Sequence, residues 1–290
     1  MFKGSMVALV TPFKNGKVDE KALKELVEFH IKNGTSALVP CGTTGESATL
    51  SYDEHDRVVE LTIECAKGRI PVIAGTGSNS TEEAIALTKH AKKAGASASL
   101  QVSPYYNRPT QKGLYLHFKA IAEAVDIPII LYNIASRTGV NIEPETFAKL
   151  AEIKNIIGVK EASGSLEQMS RIRRLCPKDF LLISGDDALT LPVMAIGGVG
   201  IISVVANIIP KDVAGMCEAF GKGDIKKAEE MHYKMLNLVK AMFVETNPIP
   251  VKTAMGLMKL CEPDMRLPLC EMLPENKEKL VKAMKEYKLI

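Results

Sequence analysis

The sequence has little of what marks several large classes of protein. It contains no tryptophan, and aromatic residues make up only 5% of its 290 residues. No run approaches the roughly 18 consecutive apolar residues that a membrane-spanning helix needs, and the first residues lack the pattern of a signal peptide. The net charge of +3 is small, and scattered positive residues form no footprint for nucleic acid or an anionic membrane. We therefore expect a cytoplasmic protein with neither a membrane nor a nucleic-acid partner.

Cysteine and histidine are also too dispersed for the common metal and redox sites. The six cysteines form no closely spaced pair, which is typical of reduced thiols. The five histidines show no His-Glu-x-x-His or comparable spacing, which disfavours a zinc-dependent aldolase. The glycine-rich segment 75–80 lacks the lysine of a P-loop and the third glycine of a dinucleotide fingerprint. Neither a metal nor a separate cofactor is expected.

What the sequence does contain is a repeated alternation of apolar runs and amphipathic stretches. The eight runs, rich in Val, Ile and Leu, are residues 6–12, 37–42, 70–75, 100–104, 127–132, 156–160, 181–185 and 200–204. Near-continuous apolar runs are typical of parallel strands that are covered on both faces. Because crossover helices force consecutive strands to be parallel, eight such units predict a (β/α)8 TIM barrel of the α/β class.

From about residue 224 onward the strand signals stop and helical spacing takes over. Apolar residues recur at Met231, Met235, Leu238 and Met242. A second helix is predicted after residues 247–250 and a third from about 275 to 288. Pro248 and Pro250 are expected to lie outside a helix and to form a rigid connection. The sequence thus predicts a barrel over residues 1–223 that carries the active site, followed by a helical domain over residues 224–290.

Lys160 is the least expected side chain at the end of an apolar run. In this fold the chemistry lies at the carboxyl ends of the strands. An ammonium group is costly to desolvate there, so its pKa should fall, and the neutral amine is the form that attacks a carbonyl. A single strand-end lysine is more often an ion-pair partner, here for Glu161 or Asp187. Neighbouring residues must decide between the two interpretations.

Other strand ends supply groups that fit carbonyl chemistry. Tyr132 could transfer the proton that dehydration of a carbinolamine requires. Thr43 and Thr44 offer hydroxyl and N–H groups suited to an α-keto acid carboxylate, although a Gly-Thr-Thr-Gly turn alone would also explain them. Arg137 is a planar fork that could bind a second carboxylate, although an arginine in a loop is usually only solvated. Together with Lys160 they favour a pyruvate-dependent aldolase.

Taken in order, these motifs resemble the dihydrodipicolinate synthase family within the class I pyruvate-dependent aldolases. The motifs are Gly42-Thr43-Thr44-Gly45-Glu46-Ser47, Pro104-Tyr105-Tyr106-Asn107-Arg108-Pro109, Tyr132-Asn133, Ser136-Arg137-Thr138-Gly139, Gly158-Val159-Lys160-Glu161, Gly185-Asp186-Asp187 and Asn247-Pro248-Ile249-Pro250-Val251-Lys252. The resemblance covers nearly the whole chain, so it is far more specific than any single motif. It implies condensation of pyruvate with L-aspartate 4-semialdehyde, the first committed step toward diaminopimelate and lysine.

The resemblance also implies a role for individual residues. Lys160 would form the imine with pyruvate, with no cofactor. Tyr132 would be the proton donor and acceptor, linked to Thr43 and to Tyr106 from a neighbouring subunit. The substrate-binding residues would be Thr44, Gly185 and Ile202 for pyruvate and Arg137 for the semialdehyde carboxylate. A homotetramer built as a dimer of dimers is implied as well.

L-Lysine is a candidate inhibitor, because members of this family carry a feedback site. That site would map to Ser47, Ala48, His55, Asn79, Glu83 and Tyr105. Tyr52 stands where lysine-sensitive members often have histidine, so the sequence leaves sensitivity to lysine open. Three further departures from the family pattern are Ala135, Ser103 and Gln101. Ala135 should loosen the approach to Arg137, and Gln101 needs hydrogen-bond partners if it is buried.

Two other functions remain open at this point. N-Acetylneuraminate lyases and 2-keto-3-deoxy-sugar-acid aldolases share the barrel, the lysine and the tyrosine, but generally have serine at the first threonine and lack the Ser-Arg-Thr-Gly loop. Arg137 favours a short semialdehyde that carries its own carboxylate. A catalytically silent barrel that binds a metabolite or a protein is the other alternative, since fold alone does not fix function.

Overall fold

The computed structural model describes residues 2–290, and its centre is a closed barrel of eight parallel strands. The barrel strands are β1 (Gly4–Ala8), β4 (Ala37–Val39), β5 (Ile73–Gly75), β6 (Ala98–Val102), β7 (Ile129–Asn133), β8 (Ile156–Glu161), β9 (Leu181–Ser184) and β10 (Gly200–Ser203). Their order around the sheet is β4-β1-β10-β9-β8-β7-β6-β5. A single bridge between Leu38 and Val72 joins the two ends. The predicted TIM barrel is confirmed.

Helices cover the outside of the barrel. They are α1 (Glu20–Lys32), α2 (Tyr52–Ala66), α3 (Thr81–Ala94), α4 (Gln111–Ala124), α5 (Ala135–Thr138), α6 (Pro144–Leu150), α7 (Leu166–Leu175), α8 (Thr190–Ala195), α9 (Pro210–Gly221), α10 (Ile225–Ala241), α11 (Ile249–Leu257) and α12 (Pro274–Glu286). Side chains cap several of them, and Ser51 with Glu54 forms a capping box at the start of α2. A short hairpin, β2 (Phe13–Lys14) and β3 (Lys17–Val18), lies outside the barrel sheet.

Each predicted apolar run overlaps one barrel strand, although several boundaries differ. The first strand covers residues 4–8 rather than 6–12, and β6 begins at Ala98 rather than at residue 100. The run predicted at residues 37–42 is a strand only to Val39, because Cys41 takes a left-handed backbone conformation with φ of 55°. This early end frees the following residues to form a turn at the rim.

The side chains divide according to the two faces of the strands. Those inside the barrel form a cluster that includes Met6, Ile130, Tyr132 and Ile202. Side chains on the other face pack against the helices in two larger clusters. Gln101 lies on this outer face, where its Nε2 atom is 2.8–2.9 Å from the hydroxyl oxygens of Thr76, Thr88 and Ser99. The hydrogen-bond partners expected for a buried Gln101 are therefore present for its amide nitrogen, whereas its Oε1 atom has none within residues 2–290.

Three helices follow the barrel, as the sequence predicts, and they pack directly on it. One cluster of buried apolar residues runs continuously from Val7 and Leu38 to Met235 and Met284. The prediction that Pro250 lies outside a helix is wrong, because Pro250 is the second residue of α11. The first turn of a helix tolerates proline, since its N–H groups have no partner within the helix.

Candidate active site

Lys160 and Tyr132 face each other inside the rim of the barrel. They are register partners on the adjacent strands β8 and β7. The Nζ atom of Lys160 lies 4.2 Å from the centre of the Tyr132 ring. Both side chains are buried, with 6% and 5% exposure. Within residues 2–290 Lys160 makes no salt bridge, so the geometry does not support the ion-pair interpretation.

Burial lowers the pKa of Lys160 to about 8. The nearby carboxylate of Asp187 opposes this effect, and the positive charge of Arg137 adds to it. The Asp187 carboxylate is held by the main chain of the neighbouring strand end, because its Oδ2 atom accepts a 2.9 Å hydrogen bond from the backbone N–H of Val204. A lysine with this pKa has a useful fraction of neutral amine near neutral pH, as attack on a carbonyl requires.

Ser103, on the neighbouring strand end, fixes the main chain of Tyr132. Both the N–H and the hydroxyl of Ser103 donate to the Tyr132 carbonyl, at 3.0 and 3.1 Å. Burial raises the pKa of the Tyr132 phenol, while the neighbouring Thr43 side chain and the charge of Arg137 lower it. Thr43 and Tyr132 thus lie together, as the sequence predicts. A protonated phenol beside an amine can donate and recover a proton during imine formation.

The turn that carries Thr43 and Thr44 is a compact, strained loop at the end of β4. Glu46 adopts φ of 52°, and its N–H donates to the Thr43 carbonyl at 3.1 Å. A Cβ at Gly45 would lie 3.0 Å from the carbonyl oxygen of Leu9, so a side chain there would crowd the backbone of the turn. Within residues 2–290, no group accepts a hydrogen bond from the N–H of Thr43 or of Thr44. These donors suit a carboxylate.

Gly185 and Ile202 border the same space. A Cβ at Gly185 would lie 2.7 Å from the Cβ of Ala162 and 3.2 Å from the Cε of Lys160, so glycine makes room for the lysine. Ile202 is buried in the barrel interior, in the same apolar cluster as Tyr132. The structure therefore places Gly185 beside the lysine and Ile202 in the same interior cluster as the tyrosine.

Arg137 is linked to Thr44 through a residue that the sequence did not single out as functional. The Nη2 atom of Arg137 donates to the main-chain carbonyl of Asn247 at 3.0 Å. The Nδ2 atom of Asn247 donates to the Thr44 hydroxyl at 2.9 Å. Asn247 is 7% exposed, and it lies between α10 and α11. In the sequence its motif contributed to the family resemblance and indicated a rigid connection, but the separation of Asn247 from Thr44 by 203 residues concealed the contact.

A second contact from the C-terminal helices fixes the same turn. The amine of Lys252 lies 2.6 Å from Glu46 and 3.0 Å from the Thr11 carbonyl, and the Lys252 and Glu46 side chains are fully buried. The other carboxylate oxygen of Glu46 accepts the N–H of Arg266 at 3.1 Å. Because Glu46 follows Thr44 by two residues, its ion pair with Lys252 fixes the turn that carries Thr43 and Thr44. No periodic pattern in the sequence indicates this pair.

Tyr106 lies apart from the other predicted catalytic residues in the single chain. Its side chain is 92% exposed, and its backbone has φ of 71°. A positive φ is uncommon in a residue other than glycine. Its predicted contact with Tyr132 of a neighbouring subunit stays a prediction.

The residues of the predicted lysine site lie in two connected loops and two helices. Ser47 and Ala48 form part of a single helical turn before α2, and His55 is buried within α2. The side chain of Asn79 donates to the Tyr105 carbonyl at 3.1 Å. His55 contacts the Gly75 carbonyl through Nε2 at 2.8 Å. The binding role of this region stays a prediction.

Tyr52 changes the chemistry of that region. Its hydroxyl donates to one carboxylate oxygen of Glu83, and the Ser78 hydroxyl donates to the other. These two hydrogen bonds lower the pKa of Glu83. Both oxygens of the carboxylate are therefore engaged within the protein.

The described part of the chain shows no feature that calls for a metal or a membrane. Across residues 2–290, no group of three or more His, Cys, Asp or Glu side chains is arranged to hold a metal ion. All six cysteines are free thiols. In the same residues, no helix combines the length and the apolar character needed to cross a bilayer.

Comparison with known proteins agrees with this geometry. The family model described as the dihydrodipicolinate synthetase family matches residues 1–287. The chain belongs to this family. The 4-hydroxy-tetrahydrodipicolinate synthase of Syntrophus aciditrophicus is 61% identical over 290 residues, which cover 100% of both chains.

Solved structures of the family superpose on the whole chain. Dihydrodipicolinate synthase from Aquifex aeolicus is 53% identical, with a TM-score of 0.98 and coverage of 99% of each chain. The chloride-inhibited enzyme from Acinetobacter baumannii complexed with pyruvate is 47% identical, with a TM-score of 0.98 and coverage of 100% of each chain. The enzyme from Cyanidioschyzon merolae with lysine bound is 45% identical, with a TM-score of 0.96 and coverage of 100% of this chain and 99% of that one.

Proposed function

We propose that this protein is a lyase that condenses pyruvate with L-aspartate 4-semialdehyde to give 4-hydroxy-tetrahydrodipicolinate. This reaction is the first committed step of diaminopimelate and lysine biosynthesis. The observation that carries the proposal is the buried Lys160 amine, with its pKa lowered to about 8, over the Tyr132 ring at the barrel rim. Membership of the synthetase family and the 61% identical synthase support the choice of substrates.

In the proposed mechanism Lys160 is the nucleophile. Its neutral amine adds to the keto carbon of pyruvate, and loss of one water, with Tyr132 giving and taking protons, yields the imine. The thiol groups and metals play no part, and the covalent imine takes the place of a cofactor. Thr44, with the free N–H groups of its turn, binds the pyruvate carboxylate next to Gly185 and Ile202.

The second substrate enters beside Arg137. Loss of a methyl proton converts the imine to an enamine, whose carbon attacks the aldehyde of the semialdehyde while Arg137 holds its carboxylate. The amino group of the semialdehyde then displaces Lys160 from the imine carbon and closes the ring. One water is released overall, and the lysine is regenerated.

We also propose that the active assembly is a homotetramer, a dimer of dimers. The exposed ring of Tyr106 would complete the Tyr132–Thr43 proton relay of the neighbouring subunit. Residues 1–223 would supply the reacting and binding groups, and residues 224–290 a helical domain that supports them. The protein would work in the cytoplasm, with no membrane or nucleic-acid partner.

L-Lysine is proposed as a feedback inhibitor that binds near Ser47, Ala48, His55, Asn79, Glu83 and Tyr105. The lysine-bound relative supports a site of this kind. Because Tyr52 and Ser78 each donate to one oxygen of Glu83, about two of the four acceptor sites of that carboxylate are taken before lysine binds. We therefore propose that inhibition is weak in this chain.

Covalent trapping tests the central proposal. The protein is incubated with pyruvate and borohydride, and its mass and peptide map are then measured. A stable adduct on Lys160, absent from a Lys160→Ala variant, is the expected result. A protein that gains no mass at Lys160 would be the catalytically silent barrel instead. If the adduct forms, turnover with aspartate semialdehyde but not with N-acetylmannosamine separates the synthase from the lyases.

A further inference from the structure

Asn247 occupies a position between the two groups proposed to bind carboxylates. Its side-chain amide donates to the Thr44 hydroxyl at 2.9 Å, and its main-chain carbonyl accepts from Arg137 at 3.0 Å. The amide is buried, and its Oδ1 atom has no hydrogen-bond partner within residues 2–290. Asn247 is thus connected to both groups at once, to Thr44 through its side chain and to Arg137 through its main chain.

The direction of the Asn247–Thr44 bond decides what Thr44 can do. A hydroxyl has one proton to donate and two lone pairs to accept. The amide N–H of Asn247 takes up one lone pair of Oγ1, and within residues 2–290 the Thr44 hydroxyl proton is donated to no group. Thr44 itself is only 2% exposed, so few orientations are open to it. Its proton is left for a bound acceptor.

We propose that Asn247 is a positioning residue that fixes the Thr44 hydroxyl as a hydrogen-bond donor toward the carboxylate of pyruvate. This inference rests on the proposed binding of pyruvate at Thr44. Reversal of the bond, with Thr44 donating to residue 247, turns a lone pair toward the anionic substrate and weakens its binding. Asn247 acts through Thr44 and does not touch the reacting atoms.

The Asn247→Asp variant imposes that reversal with almost no change in shape. An ionised carboxylate only accepts, so the Thr44 hydroxyl must donate to it. We expect the pyruvate concentration that half-saturates borohydride trapping to rise about tenfold, and about threefold for Asn247→Ala, which leaves the hydroxyl free to rotate. The thermal midpoint of each variant checks that it is folded. Thr253→Val is the control for the pyruvate dependence, since Thr253 donates only within α11.

A double-mutant cycle with Thr44→Val separates positioning from charge repulsion. If Asn247 acts through the Thr44 hydroxyl, Asn247→Asp has less than about a twofold effect on half-saturation in the Thr44→Val background. An equal tenfold effect in both backgrounds would mean that the new charge repels pyruvate directly, and the proposal would be wrong. If Asn247→Asp does not fold, the same cycle is run with Asn247→Ala. An equal rise in half-saturation with and without Thr44→Val would again mean that the proposal is wrong.

The trapping assay keeps this inference apart from the proposed function. If the unaltered protein forms no pyruvate adduct, the proposed function fails. If the unaltered protein forms the adduct and Asn247→Asp has unchanged half-saturation, only the inference about Asn247 fails. A raised half-saturation that depends on Thr44 supports both.

Discussion

The amine of Lys160 lies 4.2 Å from the centre of the Tyr132 ring, inside the rim of the barrel. A cation at this distance is attracted to the face of the ring, so the contact favours the protonated amine. Burial favours the neutral amine and lowers the pKa of Lys160 to about 8. The same ring therefore excludes water from the lysine and presents the phenol that serves its proton transfers.

The pH dependence of imine formation follows from that pKa. With a pKa of about 8, about one Lys160 amine in ten is neutral at pH 7, against about one in three thousand for an ordinary lysine. We expect the initial rate of borohydride trapping with saturating pyruvate to rise with pH, with a midpoint near 8, and then to level off. Rapid-quench mass spectrometry measures this rate. A midpoint near the ordinary lysine value would show that burial does not control the amine.

Replacing Arg137 should separate the two substrates. In Arg137→Ala the carboxylate of the semialdehyde loses its charged partner, so we expect its KM to rise at least tenfold while the pyruvate adduct still forms. Steady-state kinetics with each substrate varied in turn, together with trapping, checks this. Arg137→Lys keeps the charge but not the planar guanidinium group, so its KM for the semialdehyde should lie between those of the unaltered protein and Arg137→Ala. Loss of the pyruvate adduct in Arg137→Ala would mean that the role is misassigned.

Gly185→Ala should damage the active site more than the fold. The added methyl would lie 2.7 Å from the Cβ of Ala162, which forces a shift there, and 3.2 Å from the Cε of Lys160, so the lysine must give way by a few tenths of an ångström. We expect the trapping rate to fall more than tenfold, because a displaced nucleophile loses its attack geometry. Gly221→Ala is the matched control, since nothing lies within 4 Å of a Cβ there. Equal trapping rates in the two variants would refute the steric argument.

The buried pair of Glu46 and Lys252 should be costly to break from one side. Lys252→Met leaves the Glu46 carboxylate buried without its cation, and we expect a loss of about 3–5 kcal/mol in the free energy of unfolding. Guanidinium denaturation measures the loss. Adding Glu46→Gln should recover part of it, since no unpaired charge then remains. As a control, Lys234→Met removes a half-exposed pair with Asp212 and should cost less than about 1 kcal/mol.

Tyr52 should set the strength of inhibition by L-lysine. Tyr52→Phe removes the hydroxyl that donates to Glu83 and frees one acceptor site of the carboxylate, so we expect the half-inhibitory lysine concentration to fall about three- to tenfold. Tyr115→Phe, on α4, is the control. Inhibition that is unchanged in Tyr52→Phe would indicate that lysine does not contact Glu83.

The sequence predicted the barrel well because its signal is local. Each strand is a short apolar run, and the residues that end neighbouring runs meet at the rim, as Lys160 and Tyr132 do. Boundaries failed where a single backbone conformation ended a strand, as at Cys41. The two-residue strands of the hairpin β2–β3 are too short to give a periodic signal.

The supports of the rim loop could not be predicted in this way. Asn247, Lys252 and Arg266 reach the segment around Thr44 from about 200 positions away along the chain. Such contacts depend on how α11 docks, and no pattern along the sequence encodes that docking. The helical spacing after residue 224 predicts the helices themselves but not the polar side chains that they bring to the active site.

The ring of strands has two thin joins, between β9 and β10, with one register pair, and between β4 and β5. In residues 2–290 the β4–β5 join consists of the Leu38–Val72 bridge and the hydrogen bonds from Leu38 to Pro71 and from Gly75 to Pro40. Local opening should begin at such a join, because few backbone bonds have to break. The turn that carries Thr43 and Thr44 follows directly after β4. Under heat or denaturant, the protein should therefore lose pyruvate binding while most of the barrel is still folded.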